Sequence, residues 1–311
     1  MKWIVRIVLL ALWAASIIYV FGIGALVGKF APQVAEESMN RSAPLLMMFL
    51  ADYEPCQGVG ALECGFQDTT GRTEVSCQAY MGERSAVLMT FGQSNSANAG
   101  DDKYIPLGPV ANFNIHDGKC YEAEDPLLGP DAEGGAVWGV LADKLIAQGH
   151  YDNVMIVPFG IGGSAISQWQ ADGRFHDILR LALDRTATSN IAPTHVLWHQ
   201  GESDAGAGTS ERDYFNMFDA LVGHIRSGGV TAPVYPAVAT HCALAIGGES
   251  EPAPGAEAVR TAQARLVELP GVFAGPDTDQ IQGPLYRHDN CHFNAKGMQA
   301  HADAWLSALT D

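Results

Sequence analysis

Met89-Thr90-Phe91-Gly92-Gln93-Ser94-Asn95-Ser96 is the stretch in which this chain changes character. The apolar run 86–91 reads as a buried strand, and Gly92 ends it in a cluster of small and amide side chains. In a parallel sheet, Ser94 would sit where the carboxyl edge opens into solvent, the edge at which such folds bind ligands. Taken alone the octapeptide also reads as a polar turn after a strand, so its meaning depends on its surroundings.

Downstream of Ser94 the chain alternates. A polar, proline-rich loop over 101–131 has no clear periodicity, and then Ala136, Val137, Val140, Leu141, Leu145 and Ile146 recur at helical spacing until Gly149. Further apolar runs at 154–157, 194–198, 233–239 and 272–274 are strand candidates. Amphipathic helices are expected around 177–186, 210–226, 256–269 and 294–309. With 86–91 this predicts an α/β fold whose five-stranded, mostly parallel sheet is covered by helices on both faces.

The chain has 311 residues, 47% of them apolar and 17% charged, enough to bury a sizeable core. Its formal charge of −17 argues against a nucleic-acid or anionic-membrane footprint, because phosphates attract clustered Lys and Arg. At the N-terminus, residues 7–28 carry no charge and follow Lys2 and Arg6. A run of about 20 apolar residues is long enough to span a bilayer as a helix. The preceding basic residues would leave the N-terminus in the cytoplasm and the remaining chain outside it, periplasmic or extracellular. A cleaved signal peptide, which would make the protein secreted, needs a small-x-small site that is not evident before Pro32. The expected organisation is a transmembrane anchor over 1–28, a cysteine-containing membrane-proximal segment over 29–80 with a short helix near 45–53, and a catalytic domain over 81–311. Cys56, Cys64, Cys77, Cys120, Cys242 and Cys291 form an even set without zinc spacing, so two or three disulfides are expected with their pairing open.

If the sheet is parallel, chemistry belongs at its strand ends. The second strand leads into Gly160-Ile161-Gly162-Gly163-Ser164-Ala165-Ile166-Ser167-Gln168-Trp169, whose glycines can expose backbone N–H groups to an anion or a developing oxyanion. Gly160, Gly162 and Ala165 also fit a dinucleotide fingerprint, but no helix pattern follows at once, so no dinucleotide is expected. The third strand ends in His199-Gln200-Gly201-Glu202-Ser203-Asp204. Gln200 can donate N–H bonds without carrying charge, Glu202 and Asp204 could hold a histidine or cap a helix, and His199 reads as a core histidine. Before the last helix comes His288-Asp289-Asn290-Cys291-His292-Phe293-Asn294. There Asp289 and His292 are close enough for the carboxylate to orient the imidazole as a base, and Asn294 is a good N-cap. A zinc reading of His288 with His292 lacks a third ligand nearby.

In this order the four stretches resemble the blocks of the SGNH (GDSL-like) hydrolase superfamily, and more narrowly the sialate O-acetylesterase-like carbohydrate esterases, from Ser85 onward. The resemblance implies a flavodoxin-like α/β/α sandwich with Ser94 as nucleophile, His292 as base and Asp289 as its orienter. It places the oxyanion among the N–H groups of Ser94 and Gly163, with Gly162 as second choice, and the Gln200 side-chain amide. Gln200 stands where the wider superfamily usually has asparagine. Glu202 is the reserve acid, Asn95 belongs to the first block, and Trp169 is either a sugar-stacking wall or a core aromatic. The implied reaction is deacetylation of a carbohydrate without cofactor or metal, lost as His292 becomes protonated, with Gln200→Ala crippling turnover but sparing the fold. A lipase or thioesterase acting on acyl chains, and a non-catalytic glycan-binding envelope protein, are the alternatives. The G-x-S-x-G elbow of α/β-hydrolases is absent around Ser94.

Overall fold

The computed structural model describes residues 56, 59–242 and 252–310. The membrane span expected over 1–28 and the helix expected near 45–53 lie outside these residues. Among the described residues no helix is long and apolar enough to cross a membrane.

Seven strands build the sheet: β1 (Glu74–Val75), β2 (Ser85–Gly92), β3 (Val110–Asn114), β4 (Lys119–Glu122), β5 (Asn153–Pro158), β6 (His195–His199) and β7 (Val234–Pro236). Their order is β1-β4-β3-β5-β2-β6-β7. β3, β5, β2, β6 and β7 run parallel, and β4 and β1 extend the β3 edge antiparallel. The expected count of five is therefore corrected to seven. β3 and β4 lie inside the segment read as a structureless loop. The pattern of β3 is masked by Asn112, which is buried because its amide bonds Leu128 at both N–H (2.6 Å) and C=O (3.1 Å). Conversely, 272–274 is not a strand but a single bridge from Val272 to Val234.

Among the described residues the α-helices are α1 (Val137–Ala147), α2 (His176–Thr188), α3 (Glu202–Ala207), α4 (Glu211–Ser227), α5 (Ala256–Arg265) and α6 (Ala295–Thr310). Five follow the expected apolar periodicity, and α3 is too short to show one. Local chemistry sets their ends: Ser210 Oγ accepts from Asp213 N at 3.1 Å to cap α4, and Asn294 Oδ1 accepts from Gly297 N at 2.9 Å to cap α6. Strand alternation divides the core in two. Val87, Met89 and Phe91 of β2 pack with α2, α4 and α5, whereas Ala86 and Leu88 pack with α1 and α6, giving three layers with the sheet in the middle.

Cys56–Cys64, Cys77–Cys120 and Cys242–Cys291 are disulfide-bonded. After β5 the chain crosses to the far side of β2 to form β6, so the switch point lies over the carboxyl ends of β5, β2 and β6. Gly92 makes the closest approach there. Its φ is 135°, and a Cβ would lie 2.1 Å from the His199 carbonyl oxygen, so only glycine fits.

Candidate active site

Beyond Gly92 the chain enters one 3-10 turn, Ser94–Ser96, closed by Ser96 N to Gln93 O (2.8 Å) and Ala97 N to Ser94 O (2.9 Å). Ser94 begins the turn, so its N–H has no acceptor within it, and the residue is 8% exposed. Facing it, residues 161–164 form a turn closed by Ser164 N to Ile161 O at 3.3 Å, with Gly163 at φ 69°. Gly162 N–H is occupied by Asp131 Oδ1 at 2.9 Å. Of the two glycines, Gly163 is the one that keeps an N–H without an acceptor among the described residues.

The His292 loop is built around buried Arg287. Its guanidinium donates to the carbonyls of Ile281 (2.7 Å), Thr278 (3.0 Å), His241 (3.3 Å) and Cys291. Asp289 then organises the tip. Oδ1 accepts from the N–H of Cys291 (2.9 Å) and His292 (2.6 Å), and Oδ2 accepts from His292 Nδ1 at 2.6 Å. Burial alone would raise the Asp289 carboxyl, but these bonds and the imidazole together hold it well below the ordinary carboxylate range. With Nδ1 committed to Asp289, Nε2 is the ring nitrogen left for other chemistry, and it lies 3.8 Å from Cys291 Sγ.

Asn95 joins the two pieces. Its Nδ2 donates to Glu202 Oε1 (2.9 Å) and to the Cys291 carbonyl (3.3 Å), tying the serine turn to the residue next to His292. Ser94 and His292 thus share the carboxyl edge of the sheet. No hydrogen bond joins them in this structure, a looseness common in sites without substrate.

Three expected site residues sit elsewhere. Gln200 is fully buried, and its Nε2 donates to Asp204 Oδ2 (2.6 Å), Ser164 O (3.0 Å) and Gln93 Oε1 (3.2 Å). A buried amide must satisfy its hydrogens locally, so none is left for an oxyanion. Gln200→Ala is therefore expected to unpair this cluster and lower Tm along with turnover; unchanged Tm in a thermal melt would return Gln200 to the oxyanion site. Trp169 is also fully buried, among Phe91, Phe159, Phe175 and Trp198, with Nε1 donating to Ser164 Oγ at 3.0 Å. It is a core aromatic, not a sugar wall. Asp204 neither caps nor holds a histidine, but accepts from Ile166 N (2.8 Å) and Thr209 Oγ1 (2.8 Å).

Glu202, the reserve acid, does not touch His292. It bonds Asn95 and faces His199 Nδ1 at 3.8 Å, while its Oε2 is buried without a partner. Burial pushes its carboxyl from 4.5 up to about 7, against the Asn95 amide that favours the charge. A raised carboxyl destabilises the fold above that value, and the cost vanishes below about 4.5. Glu202→Gln should accordingly raise Tm in mildly alkaline buffer, with the gain fading toward acid. A gain that grows toward acid would contradict the assignment. His199 is a buried neutral histidine, pushed down to about 3 by desolvation, with Nε2 3.0 Å from Thr278 Oγ1.

The metal reading gains the ligand that spacing lacked: His288, Asp289 and His292 bring ligand atoms within 4.8 Å of one another. Both Asp289 oxygens, however, already accept the bonds that shape the loop. The glycine loop opens into a 3-10 turn, Ile166–Trp169, and not into an α-helix. Sequence reasoning missed Asp131. It stands in a Gly/Pro-rich loop, where an aspartate reads as a turn residue, yet burial pushes its carboxyl up to about 6 despite the Gly162 N–H and the nearby His292.

Residues 84–309 match the family model described as "Carbohydrate esterase, sialic acid-specific acetylesterase". A "Probable carbohydrate esterase" of Arabidopsis thaliana is 27% identical, the alignment covering 52% of this chain and 70% of that protein. The crystal structure of an Arabidopsis thaliana protein superposes with a TM-score of 0.54 at 19% identity, covering 71% of this chain and 98% of its own. An acetyl xylan esterase of Geobacillus stearothermophilus has a TM-score of 0.47 at 12% identity, over 72% and 94% of the two chains.

Proposed function

This chain belongs to the carbohydrate esterases of the sialic acid-specific acetylesterase family and is a carboxylic ester hydrolase, and from that premise we propose that it removes O-acetyl groups from a carbohydrate through an acetyl-enzyme on Ser94. In this reading His292 Nε2 takes the hydroxyl proton as Ser94 Oγ bonds to the acetyl carbon, and the carbonyl electron pair moves onto its oxygen. The N–H groups of Ser94 and Gly163 receive that charge. On collapse the sugar oxygen leaves with the proton returned by His292. Water, deprotonated by His292, then attacks the acetyl-enzyme, Ser94 regains its proton and acetate departs. Asp289 holds the imidazole in the required tautomer.

The observation that carries this reading is the 2.6 Å Asp289–His292 bond on a loop that Asn95 ties to the serine turn. Binding alone needs no oriented imidazole beside a serine, which argues against a purely glycan-binding role. Asn95, Gly135, Val137, Phe293 and Met298 line a small cleft beside Ser94.

Acetate release should be measured from mono-O-acetylated methyl xylosides, glucosides and sialosides, and from acetyl and octanoyl aryl esters. Mass spectrometry of quenched enzyme should place one acetyl group on the Ser94 peptide. Faster turnover of the octanoyl ester would favour a lipase or thioesterase, and no acetate from any ester would favour a binding protein. We place the catalytic domain outside the cytoplasm, anchored by residues 1–28. The uncharged N-terminal run and three disulfides support this, since disulfides persist in oxidising compartments. Recovery of the native chain with reduced cysteines would overturn it.

A further inference from the structure

Asp131 stands in the mouth between the groups assigned above, held there by its backbone. Its N–H donates to Gly160 O and its carbonyl accepts from Asn98 N, both at 3.1 Å, clamping it between the β5 loop and the serine turn. Oδ1 takes the Gly162 N–H at 2.9 Å, and Oδ2 has no hydrogen-bond partner among the described residues. A methyl group built on Gly162 would lie 3.3 Å from Asp131 Oδ2 and 3.5 Å from Ser94 Cβ, so the spare oxygen and the serine border the same small space.

The chemistry of an acetyl ester limits what that oxygen can meet. The acetyl methyl gains nothing from a carboxylate it would desolvate, and the developing oxyanion is repelled by one. What remains is the alcohol half of the substrate, and a sugar carrying one ester still presents hydroxyl donors. We propose that Asp131, oriented by the Gly162 N–H, forms an alcohol-side subsite, in which Asp131 Oδ2 accepts a hydrogen bond from a free ring hydroxyl of the sugar that carries the ester. This rests on the esterase reading above and deepens it, making Asp131 the residue that distinguishes a sugar acetate from a plain one.

The test compares the fastest mono-O-acetylated methyl glycoside of the panel with its counterpart whose remaining hydroxyls are O-methylated. In wild type the methylated glycoside should lose about tenfold or more in kcat/KM, mostly through KM, as befits a hydrogen bond to a charged acceptor. Asp131→Asn keeps an acceptor for Gly162 N–H and replaces Oδ2 by a donor. In that variant the gap between the two glycosides should shrink to about threefold or less, and the loss on the glycoside should exceed the loss on an aryl acetate. Absence of a gap in wild type, survival of the full gap in Asp131→Asn, or equal losses on all three esters would each overturn the proposal. A gap caused by methyl bulk alone is one that survives. Calorimetric binding of the unacetylated methyl glycoside to Ser94→Ala, with and without Asp131→Asn, reads the subsite without chemistry. Weaker binding in the double variant is expected, equal binding overturns the subsite, and this comparison decides even if wild type cleaves none of the esters.

Discussion

Ser94→Ala is expected to lower kcat on an aryl acetate by roughly a millionfold, the scale seen when a serine nucleophile is removed from a complete triad. Ser94 Oγ has no hydrogen-bond partner among the described residues, and the residue starts a turn held by its backbone. Losing one hydroxyl there unpairs nothing and opens no core cavity, so the melting transition should stay in place. The measurement is kcat by acetate release, with Tm from the same preparation. A variant that keeps more than about a hundredth of wild-type turnover would remove Ser94 as the nucleophile, since oxyanion donors and binding alone leave far less.

Asp289→Asn should be the second most damaging change, costing on the order of ten-thousandfold in kcat. Asparagine can still accept the Cys291 and His292 N–H groups through its oxygen, so the loop survives. Its amide nitrogen, however, then faces His292 Nδ1, donor against donor. The imidazole must move its proton to Nε2, and in that tautomer it cannot take the Ser94 proton. Asp289→Ala would lose the two backbone anchors as well, so its Tm should fall where that of Asp289→Asn does not. Equal Tm losses, or a kcat within tenfold of wild type for Asp289→Asn, would reduce Asp289 to a loop anchor.

Much of the site was legible because its parts are local. Asp289 and His292 lie three residues apart, and that spacing alone brings the carboxylate onto the imidazole. Ser94 follows a strand whose apolar run ends at a glycine, and the crowding of Gly92 against His199 shows why it must. The illegible parts involve partners distant in sequence. Gln200 had the right chemistry for an oxyanion donor, but Asp204, Ser164 and Gln93 claim it, and no one-dimensional pattern records that competition. Trp169 carries no mark distinguishing a core tryptophan from an exposed one. β3 was hidden because buried Asn112 breaks its strand pattern and is satisfied only by the distant backbone of Leu128.

By itself the sequence determined the α/β class, five of the six α-helices among the described residues, the even cysteine set and the order of the four strand-end blocks. These follow from periodicity, turn chemistry and short spacings, which are properties of neighbours along the chain. Only the tertiary structure decided that the sheet has seven strands and which cysteines pair. It also decided that Gly163 and not Gly162 keeps a free N–H, and that Asp131 stands beside Ser94. Each of these depends on which groups remain unsatisfied once distant segments pack, because a buried donor or acceptor takes whichever partner the fold brings within reach.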